Sequence, residues 1–492
     1  MPARIIRFAT RLSVILIVIC LTLLAVRAYD SQRGAALEPW HTYVPHELSV
    51  AELDRSDWTG YREAEAKIFA DIRAKVTQKL DVEERVSFNR YFEGSPVYPG
   101  HFAQDWNRSY ELEPVGPSQG AVVLLHGLTD SPYSLRHIAN HYRERGFLAV
   151  GIRLPAHGTV PGALTDVEWE DWVAATRLAV REARARVGNS VPLHIVGFSN
   201  GGALAMKYAL DALSDGTLAK PDRIVLISPM IGVTSFARFA GLAALPAILP
   251  AFAKAAWLSI LPEFNPFKYN SFPVNGARQS HRLTAALQDS ILRAARDGQL
   301  ERLPPVLTFQ STMDFTVSTR AVISALYLQL PANDSEIVLF DLNRSAKFGP
   351  LFRATSDTFL SRLLPEAPRR FRTSVVTNAA PDTGEVVARI VDAGTTAENI
   401  EDLRLAYPRD VFSLSHVALP FPVSDPLYGL DPEGTETFGV SLGSIAPRGE
   451  RGALIVDMDT LLRLSSNPFF AFLITRIDAA IDQSLKGSAD KR

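Results

Sequence analysis

The sequence contains almost no cysteine and carries almost no net charge. Cys20 is the only cysteine among 492 residues, which excludes an intrachain disulfide and a thiolate metal site. Lysine and arginine number 51, and aspartate and glutamate number 53, so the chain lacks the basic excess that binds nucleic acid. Hydrophobic residues make up 47% of the chain, and this composition predicts a globular protein with a sizeable core.

The N-terminus carries an apolar run from Leu12 to Val26, preceded by arginines. Arginines on this side predict a cytoplasmic N-terminus and place the rest of the chain outside the cytoplasm, in the periplasm of a Gram-negative cell. The run makes roughly 22 Å of helix against a hydrocarbon core of roughly 30 Å, although Arg11 and Arg27 can extend it by reaching the interface. We expect residues 1–29 to be a membrane-targeting signal anchor; a cleaved signal peptide and a secreted protein are the alternative.

A serine flanked by glycines follows a β-branched run near the middle of the chain. The segment Gly197-Phe198-Ser199-Asn200-Gly201 stands between apolar residues 193–196 and a helix-forming stretch. Glycines permit a sharp strand-to-helix turn, and the start of a helix offers backbone N–H groups to a developing oxyanion. The pattern predicts a nucleophile elbow with Ser199 as the nucleophile; a structural turn with an incidental serine is the alternative.

A serine nucleophile needs a general base, which follows the elbow along the chain in this arrangement. Only His281 and His416 lie after Ser199. We assign the base to His416, because it ends the extended apolar segment 411–415, whereas His281 lies in a polar helical piece of an inserted segment.

The carboxylate that orients the base is expected just after the predicted strand 305–311. Asp314 lies there, and it would hold the His416 imidazole in the productive tautomer and stabilise the imidazolium. Asp341, which ends the next apolar run at 336–340, is the rival.

Two backbone N–H groups are expected to form an oxyanion hole. The buried strand 121–125 ends in His126-Gly127-Leu128-Thr129, a turn that can aim the Leu128 N–H at the same oxygen as the Asn200 N–H. His126 precedes Ser199 and is expected to fix this loop by hydrogen bonds.

Apolar runs alternate with helical stretches as in an α/β, doubly wound, mostly parallel sheet. The active site is expected at its carboxyl edge. The predicted strands are 121–125, 147–152, 193–196, 224–227 and 306–309. The predicted domains are an accessory helical arm (30–118) with a helix at Tyr61–Leu80, a first half of the core (119–228), a helical cap (229–303), a second half (304–484) and a flexible tail (485–492).

Two inserted segments interrupt this alternation. The cap shows no clear strand, and its apolar stretches at 236–245 and 251–261 are expected to bury an acyl chain. The second insertion, 343–405, has possible strands at 374–377 and 385–390. Near the C-terminus, a helix after Asn467-Pro468 is expected to close the core with its apolar face.

These segments resemble the α/β-hydrolase superfamily and, within it, the monoacylglycerol lipase and carboxylesterase-like branch. The resemblance covers about residues 119–345 and continues only through His416. It implies hydrolysis of carboxylic esters through an acyl-enzyme, with no metal and no organic cofactor. The residues that carry it are His126-Gly127-Leu128-Thr129, Arg153-Leu154-Pro155-Ala156-His157-Gly158-Thr159, the elbow, Asp314 with Val317, and Ser415-His416. Relatives usually have glycine where Ala156 stands.

The predicted function is a serine esterase or lipase acting on a small lipophilic ester such as a monoacylglycerol. A serine peptidase or amidase using the same triad is one alternative, and a non-catalytic hydrolase-like binding protein is another. A dehalogenase or epoxide hydrolase is disfavoured, because those enzymes place a carboxylate where Ser199 stands.

Overall fold

The structure is a computed structural model that describes most of the chain. The described residues are 2–232, 245–248, 250–345, 351–352, 359–434, 436–445 and 454–489.

A ten-stranded sheet forms the centre of the protein, and two further strands form a separate pair. The strands are β1 (Tyr110–Leu112), β2 (Gly120–Leu125), β3 (Phe147–Ile152), β4 (Leu193–Phe198), β5 (Arg223–Ile227), β6 (Trp257–Ser259), β7 (Phe272–Pro273), β8 (Val306–Ser311), β9 (Glu336–Phe340), β10 (Arg372–Asn378), β11 (Glu385–Val391) and β12 (Glu398–Ala406). The main sheet has the order β1-β3-β2-β4-β5-β8-β9-β10-β11-β12, while β6 and β7 form a separate pair. Strands β3 to β10 of that order are parallel, and β1, β11 and β12 run antiparallel to their neighbours.

Helices cover both faces of this sheet. They are α1 (Pro2–Gln32), α2 (Pro39–Thr42), α3 (Val50–Arg55), α4 (Trp58–Lys75), α5 (Arg136–Glu144), α6 (Trp169–Val187), α7 (Asn200–Ser214), α8 (Val274–Arg296), α9 (Thr319–Ala321), α10 (Phe359–Leu363), α11 (Met458–Arg463) and α12 (Phe470–Ala489). Shorter 3-10 or π turns lie at Thr77–Lys79, Val82–Glu84, Pro99–His101, Pro132–Leu135, Pro161–Thr165, Leu245–Ile248, Pro250–Ala256, Gln299–Arg302 and Val322–Tyr327.

The alternation of side chains along each strand divides the core into two layers. In β2, Ala121, Val123 and Leu125 belong to the layer that contains α4, α6, α7 and α8, and Val122 and Leu124 belong to the layer that contains α5 and α12. Because both faces are covered, every residue of β2 is buried, as expected for a parallel strand. The predicted α/β, mostly parallel sheet is confirmed.

The segment predicted as a helical cap, 229–303, differs from the expectation. It contains the β6–β7 pair, and its long helix α8 is part of the core. Leu283, Leu287 and Ile291 of α8 are buried in the same layer as α7. Their spacing of four residues gives α8 an apolar stripe. The helix lies across one face of the sheet and belongs to the connection between β5 and β8. Most of the predicted apolar stretch 236–245 lies outside the described residues.

The predicted insertion 343–405 does not stand apart from the core. Its strand β10 pairs in parallel with β9, and β11 and β12 extend the sheet further. The expected strands at 374–377 and 385–390 lie inside β10 and β11, whereas β12 was not predicted.

Two other predicted boundaries also change. β1 pairs with β3, so the end of the accessory arm contributes to the sheet. The predicted flexible tail begins inside α12, which continues to Ala489. The expected closing role of this C-terminal helix agrees with the structure, since Leu473, Ile477 and Ile481 are fully buried in the core.

The N-terminal helix α1 contains the predicted apolar run. Its segment Ile6–Tyr29, 24 residues with a mean hydropathy of 2.5, is long and apolar enough to cross a membrane, and none of it is buried. The end of α1 contacts β6, where the Arg27 guanidinium donates to the Trp257 carbonyl. Just after the helix, the Gly34 carbonyl accepts from Lys254 at 2.9 Å.

Candidate active site

Ser199 occupies the tight turn between β4 and α7. Its φ of 54° and ψ of −112° lie in a region that non-glycine residues rarely adopt, and such strain is typical of a functional turn. The Ser199 N–H donates to the Ile227 carbonyl at 3.0 Å, and its carbonyl accepts from the Met230 N–H at 2.9 Å. The strained turn is therefore held by the neighbouring strand β5 and the loop that follows it.

The glycines around Ser199 are required by close backbone approach. A Cβ atom on Gly197 would lie 2.3 Å from the Gly201 carbonyl oxygen, and one on Gly201 would lie 1.9 Å from the Leu125 carbonyl oxygen. The turn can be this sharp only because neither position carries a side chain. These contacts support the sequence interpretation of a nucleophile elbow.

His416 and Asp314 come together although they are 102 residues apart in the chain. The His416 Nδ1 lies 2.8 Å from the Asp314 Oδ2. The other carboxylate oxygen of Asp314 accepts from the backbone N–H groups of Thr316 at 2.8 Å and Val317 at 3.0 Å. Both side chains are buried, so the pair is held in a single arrangement.

The environment of Asp314 favours its charged form. Burial alone would raise the pKa of this carboxyl, but the neighbouring His416, with its charge and hydrogen bond, and the backbone N–H groups outweigh burial and lower the pKa below its ordinary value. An ionised Asp314 can accept a hydrogen bond from the Nδ1–H group of His416. The Nε2 of His416 then carries no proton and is free to act as a base.

The imidazole of His416 lies beside the elbow. Its ring centroid is 5.3 Å from that of Phe198, the residue before Ser199, and His416 and Ser199 line the same cavity. The chain leading to His416 was predicted to be extended, but residues 407–417 contain no strand. The position of His416 instead depends on side chains such as Ser415, whose hydroxyl donates to the Arg463 carbonyl at 2.7 Å.

The rival residues lie elsewhere. Asp341 accepts hydrogen bonds from Arg344 at 2.8 Å and Thr377 at 3.1 Å. His281 is on α8, outside the group of residues that line the cavity.

The two residues predicted to supply the oxyanion hole both lie near Ser199. Leu128 lines the cavity beside Ser199, and Asn200 is the first residue of α7. Within the described residues, neither N–H donates to a protein acceptor, and the first N–H groups of a helix are those left without a partner in the helix. His126 fixes this loop as expected, since its Nε2 accepts from the Leu154 N–H at 3.0 Å.

The loop 153–159, the second motif that carries the resemblance, is held by the accessory arm. Ala156, where relatives usually have glycine, adopts a φ of 69°, so the loop keeps a left-handed residue at this place. Arg153 is completely buried, and its guanidinium donates to Glu47 at 2.8 and 2.9 Å and to Glu65 at 3.2 Å. The accessory arm thus supports the loops that shape the site.

Comparison with known families agrees with this geometry. Residues 116–343 match a family described as Hydrolase_4, serine aminopeptidase S33. Over this segment the chain is similar to the α/β-hydrolase superfamily, in agreement with its mostly parallel sheet. The resemblance inferred from the sequence is thereby confirmed.

Similar proteins include lipases. The chain is 31% identical over 99 residues to the thermostable monoacylglycerol lipase of Bacillus sp. (strain H-257), a match that covers 20% of this chain and 36% of the relative. The chain thus spans about a third of the length of this curated relative.

Among solved structures, the monoacylglycerol lipase of Paleococcus ferrophilus shows 19% identity and a TM-score of 0.35 over 51% of this chain and 98% of that one. A soluble variant of the Saccharomyces cerevisiae monoglyceride lipase shows 14% identity and a TM-score of 0.35 over 47% and 81%.

The site around Ser199 and His416 opens into a cavity of about 590 Å³. The apolar side chains of its wall come from segments far apart in the chain. They include Leu128, Phe198, Met230, Leu261, Phe264, Phe272, Phe315, Val317, Val417 and Leu464.

Sequence reasoning missed part of this cavity. The segment between β6 and β7 contributes Lys268 and Tyr269, and α11 contributes Asp459 and Arg463. No local motif marks these residues, because each is a single polar side chain that only the tertiary fold brings to the cavity. Within the described residues, no cluster of three or more His, Cys, Asp or Glu is arranged to hold a metal ion.

Proposed function

We propose that the protein is a carboxylic ester hydrolase that acts through an acyl-enzyme on Ser199, with His416 as base and Asp314 as its orienting partner. One observation carries the proposal: the His416 imidazole, bonded to buried Asp314 at 2.8 Å, shares one cavity with a serine held in a strained strand-to-helix turn. This arrangement supplies a nucleophile, a base and an orienting carboxylate in one place.

The proposed reaction begins with the Ser199 hydroxyl attacking the ester carbonyl while His416 Nε2 takes its proton. The N–H groups of Leu128 and Asn200 stabilise the oxyanion. His416 then gives its proton to the alcohol that leaves, and the acyl group stays on Ser199. Water repeats the sequence, with His416 again as the base, and releases the acid.

The proposed substrate is a lipophilic ester of the monoacylglycerol type. The apolar lining of the cavity suits an acyl chain, and the Bacillus relative is a monoacylglycerol lipase. We further propose that the segment between β6 and β7, together with α11, covers the acyl chain, because both contribute residues to the cavity.

Helix α1 is proposed to anchor the hydrolase in a membrane, with the catalytic domain outside the cytoplasm. Its exposed apolar length and the arginines that precede it support this orientation. Release as a secreted enzyme after cleavage of this segment is the alternative.

A peptidase or amidase activity is the second candidate, favoured by the match to the family described as serine aminopeptidase. The test is a panel of matched esters and aminoacyl amides with the same acyl groups. We expect turnover of the esters, increasing with acyl length until the cavity is filled, and amide turnover at least a hundredfold lower. Efficient cleavage of the amides would contradict the ester assignment and indicate a peptidase or amidase.

A further inference from the structure

A lysine stands in the apolar cavity next to the proposed nucleophile. Lys268 and Arg463 line this cavity together with Ser199 and His416, and among the described lining residues the one carboxylate is that of exposed Asp459. A neutral lipid has no charge to pair with these two cations, and the Arg463 guanidinium donates to the uncharged hydroxyl of Thr316 at 2.6 Å.

Lys268 lacks a direct counterion among the described residues. No carboxylate oxygen of a described residue lies within 4.0 Å of its ammonium group. The acidic group that acts on it most is Asp130, which is itself buried and accepts a hydrogen bond of 2.9 Å from the Ser131 N–H. Burial raises the pKa of Asp130 to about 6, so this carboxylate is an incomplete partner for a nearby cation.

Burial also acts on Lys268. It lowers the pKa of the ammonium group, Asp130 opposes that effect, and Arg463 adds to it. Two cations near one another in an apolar cavity are costly to keep charged unless an anion joins them. A negatively charged group in the cavity would remove this cost.

Lys268 is carried by a rigid segment. The buried carboxylate of Glu263 accepts from the backbone N–H groups of Asn270 at 3.0 Å and Ser271 at 2.8 Å, which closes the segment into a compact loop. The Tyr269 N–H donates to the Thr129 carbonyl at 2.7 Å, next to the proposed oxyanion loop. A side chain on such a support binds a ligand with little loss of backbone entropy.

We propose that the substrate of this site is an amphiphilic ester that carries an anionic group, a carboxylate or a phosphate, and that Lys268 and Arg463 bind that group. The inference rests on the proposed ester hydrolase function and narrows its substrate class. The apolar side chains receive the hydrocarbon part, and the two cations hold the charged part beside the scissile ester.

The test compares matched anionic and neutral esters on the full-length protein. For a charge on the acyl side, the pair is the 4-nitrophenyl monoester of adipic acid and 4-nitrophenyl hexanoate. For a charge on the alcohol side, the pair is a 1-acylglycerol 3-phosphate and the 1-acylglycerol with the same acyl chain. The quantity measured is the ratio of kcat/KM, anionic over neutral, for each pair.

We expect the ratio for one pair to fall roughly tenfold or more in Lys268→Met, since a hydrogen bond to a charged group contributes about that much. The pair that responds identifies the side of the ester that carries the charge. The preference should also weaken as salt is added. Lys220→Met, which removes an exposed lysine outside the cavity lining, should leave both ratios unchanged.

Ratios that are the same in wild type and Lys268→Met for both pairs would overturn the inference while leaving the ester hydrolase intact. Absence of turnover of all four esters by the wild-type protein would instead reject the proposed function. Circular dichroism and the unfolding midpoint of Lys268→Met separate a binding effect from misfolding. If that variant does not fold, Arg463→Gln replaces it with the same expected fall in one ratio.

Discussion

The buried carboxylate of Asp425 accepts a hydrogen bond of 2.6 Å from the guanidinium of Arg136. His137 lies 2.8 Å from the same carboxylate, and Tyr133 donates to it at 3.0 Å. These three residues follow the proposed oxyanion loop, whereas Asp425 follows His416 in the chain. The contact therefore joins the two segments on which the geometry of the site depends.

We expect Asp425→Asn to lower the free energy of unfolding by about 3 kcal/mol, because it removes the close counterion of buried Arg136 and leaves only the more exposed Glu436, at 4.0 Å. Denaturant unfolding at neutral pH measures this change. Asp431→Asn, which changes an exposed aspartate of the same segment, is the matched control and should have almost no effect. A loss below about 1 kcal/mol in Asp425→Asn would contradict the structural role.

Because of the Asp425 carboxylate, we expect the free energy of unfolding to depend on pH. Burial would raise the pKa of Asp425, but Arg136 and the hydrogen bonds to the carboxylate outweigh burial and hold the pKa far below its ordinary value. A lowered pKa contributes stability above the unfolded value of about 3.9, and that stability is lost as the pH falls further. The difference in unfolding free energy between wild type and Asp425→Asn should therefore narrow below about pH 4. A constant difference across this range would disprove the linkage.

The choice of Asp314 over Asp341 can be tested with paired variants. Asp314→Asn should lower kcat by about a thousandfold to ten-thousandfold with little change in KM, since an amide favours the wrong tautomer of His416. Asp341→Asn changes a carboxylate bonded to Arg344 and Thr377, and its kcat should stay within a few-fold of wild type. The opposite result would transfer the orienting role to Asp341.

The accessory arm should contribute to the stability of the hydrolase core. Glu65 is buried and accepts hydrogen bonds from Arg153 at 3.2 Å and from the Ser109 hydroxyl at 2.8 Å. We expect Glu65→Gln to lower the free energy of unfolding by about 2–3 kcal/mol, because it removes a charge that compensates buried Arg153. Glu63→Gln, on the exposed side of the same helix, is the control. Equal stability of the two variants would show that the arm is not coupled to this loop.

Removal of residues 1–32 should release the protein from membranes. The exposed apolar segment of α1 supplies the proposed anchor, and the truncated chain loses it. Fractionation of cells should find the full chain with the membranes after a carbonate wash and the truncated chain in the soluble fraction. A full chain that is soluble without cleavage would rule out the anchor.

The parallel centre of the fold was predictable from the sequence because its strands are buried on both faces. Such strands appear as short apolar runs, and β3 has the predicted bounds Phe147–Ile152. β12 escaped prediction because it is an exposed edge strand with a mostly polar sequence. The alternation of its side chains puts no apolar row on either face, so the sequence does not mark it as a strand. Its position in the sheet depends on pairing with β11.

The assignment of α8 to a cap shows a different limit of the sequence pattern. An amphipathic helix has the same periodicity whether it covers a cavity or packs on a sheet. Only the burial of Leu283 and Leu287 against the core distinguishes the two. Ser199 and Asp314 were identifiable because each follows a recognisable strand. His416 was identifiable because only two histidines follow Ser199 in the chain, whereas Lys268 has no such distinguishing context.

The most direct test of the proposed nucleophile is covalent labelling with a fluorophosphonate, followed by mass analysis of the modified peptide. The account predicts one adduct, on the peptide that contains Ser199, in wild type. It predicts no adduct and no ester turnover in a folded Ser199→Ala variant. An adduct on another residue, or ester turnover that persists in Ser199→Ala, would contradict it.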